Sequence, residues 1–180
     1  MTSTLNLAIR PVQRRDLQVI YEIEKISFKD PYPPSLIYTL ACRNPETFLV
    51  AQENGRIVGY VIAILQGESL GHIVSIGVSP KHRRRGVGSA LTLKILEALK
   101  RLGAESVRLE VRRSNIAAQR FYEKLGFRQV CVIKKYYRDE DAHVYVTELN
   151  SAQDPSLENL RNKADDFRVS CTKRLNLRLT

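Results

Sequence analysis

The chain has 180 residues, 43 % of them apolar, and a formal charge of +10. That is long enough for one ordinary domain with a real core and too short for two of comfortable size. Cys42, Cys131 and Cys171 form no C-x-x-C pair, which argues against a metal site or a disulfide framework and predicts small buried apolar side chains instead; no apolar run reaches the length of a membrane span.

The N-terminus lacks the cationic start and apolar core of a leader, so the expectation is a soluble cytoplasmic protein. The basic excess raises nucleic acid, the ribosome or an acidic ligand as partners without choosing among them. Part of it is local, because every residue from Lys81 to Arg85 is basic.

Leu7 to Ile9 reads as a short strand ended by Arg10-Pro11. From Asp16 to Phe28, Leu17, Ile20, Ile23 and Phe28 recur near helical spacing. Asp30-Pro31-Tyr32-Pro33-Pro34 cannot continue a helix and predicts a loop of fixed shape, with a second helix over Ser35 to Cys42. Thr47 to Gln52 and Arg56 to Leu65 read as strands joined by the hairpin pair Asn54-Gly55. Ile57 to Leu65 is apolar on both faces, which predicts a central strand. Leu70 to Val78 returns alongside it, and Gly77 within it predicts a bulge or a close backbone approach.

A helix follows over Gly86 to Leu102, stopped by Gly103. Ser106 to Val111 alternates, Val107, Leu109 and Val111 pointing one way and Arg108, Glu110 and Arg112 the other. Ser114-Asn115 caps a helix that ends at Leu125-Gly126, and Phe127 to Ile133 and Ala142 to Leu149 complete the strands. This order predicts one α/β domain over residues 1–150, a mixed central sheet of about seven strands flanked by about four helices. Residues 151–180 read as a polar, basic C-terminal appendage, helical or disordered.

The chemistry concentrates between Val78 and Ser89. A strand stops at Ser79-Pro80, a basic loop follows, and Gly86 and Gly88 open the long helix. Glycine lets backbone N–H groups approach a ligand, and a helix start offers unpaired donors with a favourable dipole; both suit phosphate. The Lys-Ser/Thr ending of a Walker loop is missing, as is the third glycine of a dinucleotide fingerprint.

The pattern present is Arg-x-x-Gly-x-Gly, Arg83 to Gly88, and it resembles the acetyl-CoA loop of the GNAT acyltransferase superfamily. Leu109-Glu110-Val111-Arg112 and Ser114-Asn115 with Phe121-Tyr122-Glu123-Lys124-Leu125-Gly126-Phe127 are similar to that family's further motifs. Phe28-Lys29-Asp30-Pro31-Tyr32-Pro33 and Lys135-Tyr136-Tyr137 resemble the loops of its protein N-terminal α-acetyltransferase branch.

The resemblance implies a GNAT fold over Leu7 to Asn150, acetyl-CoA as co-substrate, and transfer of acetyl to the α-amino group of protein or nascent-chain N-termini by direct attack in a ternary complex. It implies Glu110 as base or water-positioning group, His72 as a helper in ordering that water, and Tyr122 as the acid for the leaving thiolate. It also implies pairing of pantetheine with the backbone of Ile76 and Val78 around Gly77, and pyrophosphate binding over Arg83, Arg84, Arg85, Gly86, Val87, Gly88 and Ser89. Asn115 and Tyr122 join the cofactor contacts, while Tyr32 and Tyr137, then Tyr136 and Asp30, become peptide contacts.

Each residue has a structural alternative: Glu110 on a solvated strand face, Tyr122 packed beside Phe121 and Leu125, Asn115 as helix cap, the arginines in solvent. Two other functions fit the same features. One keeps the acetyl-CoA site for a small amine or lysine side chain; the other is a non-enzymatic ribosome- or RNA-binding module. No sequence-specific nucleic-acid recognition is expected, and ribosome association is left open by the charge.

Overall fold

A computed structural model describes residues 7–149. The expected appendage and Cys171 lie outside them. Among the described residues, seven strands and four α-helices follow one another in the expected order. The described residues fall into two compact units, divided between Val107 and Arg108.

The first unit holds β1 (Leu7–Pro11), α1 (Leu17–Ser27), α2 (Pro34–Arg43), β2 (Phe48–Glu53), β3 (Arg56–Gln66), β4 (Leu70–Val78) and α3 (Val87–Arg101). Its strands lie in chain order, each antiparallel to the next. β1 does not stop at Ile9 but runs on through Arg10 and Pro11, which pair with Val50 and Leu49. The strand lies at the sheet edge, where a missing N–H costs no ladder bond on the outer side. Asn54 and Gly55 both take positive φ (48° and 79°), the geometry that the hairpin turn requires. β3 is central between β2 and β4, which explains why both of its faces are apolar.

Successive residues of β3 address opposite layers. A Cβ on Gly59 would stand 3.1 Å from Leu91 and 3.3 Å from Val87 of α3. Its neighbour Tyr60, fully buried, points the other way and reaches Glu24 of α1. The ladder between β3 and β4 slips beside Ile62 and Ala63, whose partners are Ser75 and Ile73; Val74 is the extra residue. The irregularity therefore lies three residues before Gly77. At Gly77 itself the close approach comes from a side chain, with an added Cβ only 2.6 Å from Tyr60 Cε1.

α2 begins at Pro34, whose absent N–H belongs to the helix positions that lack an intrahelical acceptor. It buries Leu36, Ile37 and Leu40. Cys42 is exposed, contrary to the expectation of burial, and Cys131 is half-buried. At 100° per residue Cys42 is turned about 200° from Leu40, away from that stripe.

The second unit holds most of β5 (Ser106–Arg112), then α4 (Ile116–Lys124), β6 (Arg128–Ile133) and β7 (Ala142–Glu148). Its strand order is β5-β7-β6, with β6 and β7 antiparallel. Asn115 caps α4 by accepting the Ala118 N–H at 3.1 Å on Oδ1. Gly126, at φ 87°, turns the chain out of the helix. No helix among the described residues is long and apolar enough to cross a membrane.

Candidate active site

In the first unit the strand, the basic loop and the helix start singled out in the sequence are contiguous. β4 delivers Ile76, Gly77 and Val78, and the chain then turns through Pro80–His82 into α3. Gly86 takes φ 84°, and a Cβ placed on it would meet nothing within 4 Å, so the backbone at the helix entrance is open. The first helical bond runs from the Ala90 N–H to the Gly86 carbonyl at 3.0 Å. The N–H groups of Val87, Gly88 and Ser89 precede it and have no acceptor inside the helix, which leaves them for an anion.

The arginines of this loop are not equivalent. Arg83 donates to the Val78 carbonyl at 2.9 Å and to Ser27 Oγ at 3.0 Å. Arg85 donates to Glu53 at 3.0 Å, and His82 stands 3.3 Å from the other oxygen of the same carboxylate. These side chains brace the loop. Arg84 is exposed and takes φ 61°, a left-handed conformation that a bulky side chain rarely adopts.

The same unit carries two more of the expected residues. His72 is buried in β4 opposite Ile64. Tyr32 is half-buried in the loop between α1 and α2, its backbone N–H donating to Glu24 Oε1 at 3.0 Å. Asp30 is exposed in that loop.

Glu24 was not singled out in the sequence. It is only 2 % exposed. Tyr60 Oη and Ser75 Oγ both donate to its Oε2, the latter at 3.1 Å. Burial pushes its carboxyl above the ordinary range, with the hydrogen bonds from Tyr60, Tyr32 and Ser75 opposing the rise. The signal was present, since Glu24 follows Ile20 by four residues on the apolar stripe of α1.

In the second unit the polar face of β5 is covered at Arg108 and Glu110 and partly open at Arg112. The side chains of Arg108 and Glu110 are 2 % and 5 % exposed, with Nη1 and Oε1 at 3.8 Å, which removes the reading of Glu110 as a residue on a wet strand face. A buried carboxylate beside a guanidinium can accept a proton or hold a water in place. The Glu110 carbonyl accepts a long hydrogen bond, 3.4 Å, from the Tyr137 hydroxyl.

Tyr122 is 6 % exposed, edge-on to Phe121 and Phe127 with ring centroids at 5.0 and 5.5 Å. Burial, and secondarily Tyr137, holds its phenol well above the ordinary value. It therefore keeps its proton throughout the neutral range. An ordinary phenol is already about 1.5 units weaker an acid than a thiol, so this group is best suited to hydrogen-bonding a developing thiolate as the proton shifts.

Tyr137 and Tyr136 belong to the loop between β6 and β7, their rings edge-on at 5.0 Å. Arg112, at the end of β5, fastens this loop. Its Nη1 donates to Asp139 at 2.7 Å and to Glu140 at 2.8 Å, and its guanidinium lies over the Tyr137 ring at 4.1 Å. Glu140 in turn accepts from the Ser114 N–H and hydroxyl, both at 3.0 Å, next to the Asn115 cap. Asn115 thus spends its oxygen on the helix, and the cap does not use its amide N–H groups.

In the first unit an open helix entrance follows a strand, which suits a phosphate-bearing ligand; the second unit holds a buried carboxylate on β5 and a protonated buried phenol on α4, both suited to proton transfer. Residues 17–127 match the acetyltransferase (GNAT) family, and the chain belongs to it. It is 39 % identical over 152 residues to an uncharacterised N-acetyltransferase of Methanocaldococcus jannaschii, covering 83 % of this chain and 96 % of that one. It is 35 % identical to the N-alpha-acetyltransferase of Sulfurisphaera tokodaii, over 78 % of this chain and 92 % of the relative. The crystal structure of Ard1 from Thermoplasma volcanium superposes with a TM-score of 0.78 at 32 % identity, covering 81 % and 99 % of the two chains. The protein is an acetyl-CoA-dependent N-acetyltransferase with the GNAT fold.

Proposed function

We propose that this enzyme transfers acetyl from acetyl-CoA to the free α-amino group of protein N-termini, by direct attack in a ternary complex. The observation that carries the reading is the rigid mounting of both tyrosine loops. Tyr32 is tied by its backbone to a buried carboxylate, and Tyr137 is stacked under a guanidinium paired with two acids. Loops fixed in this way suit a peptide backbone better than a small amine. The likeness to a relative named N-alpha-acetyltransferase supports the same substrate class.

Acetyl-CoA supplies an activated acyl carbon. The N–H groups of Val87, Gly88 and Ser89 hold its pyrophosphate, with Arg84 as an exposed cation of the same loop, and the backbone of Ile76 and Val78 pairs with its pantetheine arm. The Asn115 amide adds a donor. An amine attacks only when neutral, and at pH 7 about one α-amino group in ten is neutral, against about one lysine side chain in two thousand. A modest base is enough, and Glu110 provides it, directly or through a water that His72 helps to order. As nitrogen bonds to the carbonyl carbon and the carbon–sulfur bond breaks, the Tyr122 hydroxyl donates a hydrogen bond to the departing thiolate, passes its proton as the charge develops there, and regains a proton from solvent before the next turnover. Tyr32 and Tyr137, and more weakly Tyr136 and Asp30, are the contacts assigned to the first residues of the peptide.

The charge of +10 suits work in the cytoplasm near the ribosome, where nascent N-termini emerge. A panel of peptides differing in their first two residues, scored by release of free CoA, tests the proposal. Faster turnover of free N-termini than of internal lysines is expected, and equal rates overturn it. Glu110→Gln and Tyr122→Phe should each lower kcat by about a hundredfold or more at unchanged acetyl-CoA affinity. Full activity in both would remove the proton-transfer scheme.

A further inference from the structure

Within Pro31-Tyr32-Pro33-Pro34 three of four residues are proline, so Tyr32 owns the single backbone N–H of the stretch. That donor points at a buried side chain, Glu24 Oε1, at 3.0 Å. The other oxygen of the carboxylate is held by Tyr60 of β3 and Ser75 of β4, and those two hydroxyls lie 3.0 Å from each other. One carboxylate thus ties the proline loop to α1 and to two strands. Burying a carboxylate is costly, and a hydrophobic residue at position 24 would continue the stripe of Ile20 and Ile23. The fold needs no acid there; the loop does.

We propose that Glu24 is a positioning residue for the peptide substrate: it sets the α1–α2 loop, and with it Tyr32, through the Tyr32 backbone N–H. The inference rests on the reading that this loop contacts a peptide. It adds a residue that touches neither peptide nor acetyl-CoA and acts through the backbone of one that does. The prolines restrict what shapes the loop can take, and the bond to Glu24 selects among them.

The chemistry distinguishes substitutions. In Glu24→Gln the amide oxygen still accepts from Tyr32, while the NH2 group can donate to Tyr60 and Ser75, because a hydroxyl accepts as well as donates. This variant should keep the loop in place. Glu24→Asp withdraws the carboxylate by one methylene, about 1.5 Å, and cannot serve the strands and the loop together. The triple variant Glu24→Leu with Tyr60→Phe and Ser75→Ala replaces the cluster by apolar groups and leaves no side-chain hydroxyl orphaned, but gives Tyr32 no acceptor.

The test combines steady-state kinetics on an N-terminal peptide, calorimetry with acetyl-CoA, and amide hydrogen exchange over residues 28–36. For the triple variant and for Glu24→Asp we expect faster exchange in this segment and a peptide KM raised about tenfold. The kcat at saturating peptide and the acetyl-CoA Kd should stay within about twofold. Glu24→Gln should restore KM to within about threefold of wild type. A triple variant that does not fold leaves Glu24→Asp to decide. Unchanged KM and unchanged exchange in Glu24→Asp overturn the proposal, as does a loss spread equally over kcat, KM and acetyl-CoA affinity. If the wild-type enzyme acetylates no free N-terminus, the substrate reading itself has failed, whatever the exchange rates show.

Discussion

Gly77→Ala is the sharpest test of how the first unit is packed. The new methyl would lie 2.6 Å from Tyr60 Cε1, 3.0 Å from Cζ and 3.1 Å from Ile23 Cγ2. Carbon atoms prefer about 3.5–4.0 Å, so the ring must withdraw by about 1 Å. It has little freedom to do so. Tyr60 is fully buried, and its hydroxyl is held by Glu24 and by Ser75 at 3.0 Å. Overpacking of this kind costs about 1–3 kcal/mol. For a chain of this size each kcal/mol lowers Tm by about 2–4 °C, which gives a fall of about 2–12 °C in thermal denaturation followed by circular dichroism. Adding Tyr60→Leu removes the ring and should make the double variant less destabilised than the sum of its parts. A Tm for Gly77→Ala within about 1 °C of wild type would show that the ring is not pinned, and the account of the Glu24 cluster would fall with it.

Three other outcomes are expected. Arg112→Ala removes the stack on Tyr137 and the pairs with Asp139 and Glu140 that fasten the β6–β7 loop; peptide KM should rise about tenfold at constant acetyl-CoA Kd, and a change in Kd instead would refute the assignment. Asp16 is desolvated, yet hydrogen bonds from Arg10 and the Gln13 N–H outweigh this and lower its carboxyl; the stability it contributes is present above about pH 4 and lost as pH falls through its folded value, so Asp16→Asn should flatten the acid limb of a stability–pH curve. Glu24 is raised, chiefly by burial, so its contribution has the opposite sign, present below about pH 4 and lost as pH rises through its folded value; Glu24→Gln at pH 7 should be no less stable than wild type, and a lowered Tm there would contradict this.

Local rules made much of this legible. Asn54-Gly55 announced its hairpin, Asn115 its helix cap, and the alternation over Ser106 to Val111 its strand, because each depends on backbone chemistry within a few residues. What was hidden depended on the layers that cover a surface. Alternation separates the Val107 side of β5 from the Arg108 side, but cannot say that both are covered, as the burial of Arg108 shows. The place of Glu24 on the apolar stripe of α1 marks it as unusual, but its partners Tyr60 and Ser75, 36 and 51 residues away, lie beyond any local pattern. The clamp of Arg112 on Asp139 and Glu140, 27 and 28 residues on, is likewise invisible to any short window. Cys42 was misjudged on residue type alone, when its turn on α2 relative to Leu40 already placed it outside.

Arg84 holds a left-handed backbone at the head of α3 without being glycine. Such a conformation costs a bulky residue about 1–2 kcal/mol, carried by the folded chain before any nucleotide arrives. The loop is thereby cocked in advance, and binding has little ordering of the main chain left to do there. Swapping this arginine for glycine or for alanine would therefore not be the same experiment: both discard the guanidinium, but only glycine also lets the spring relax.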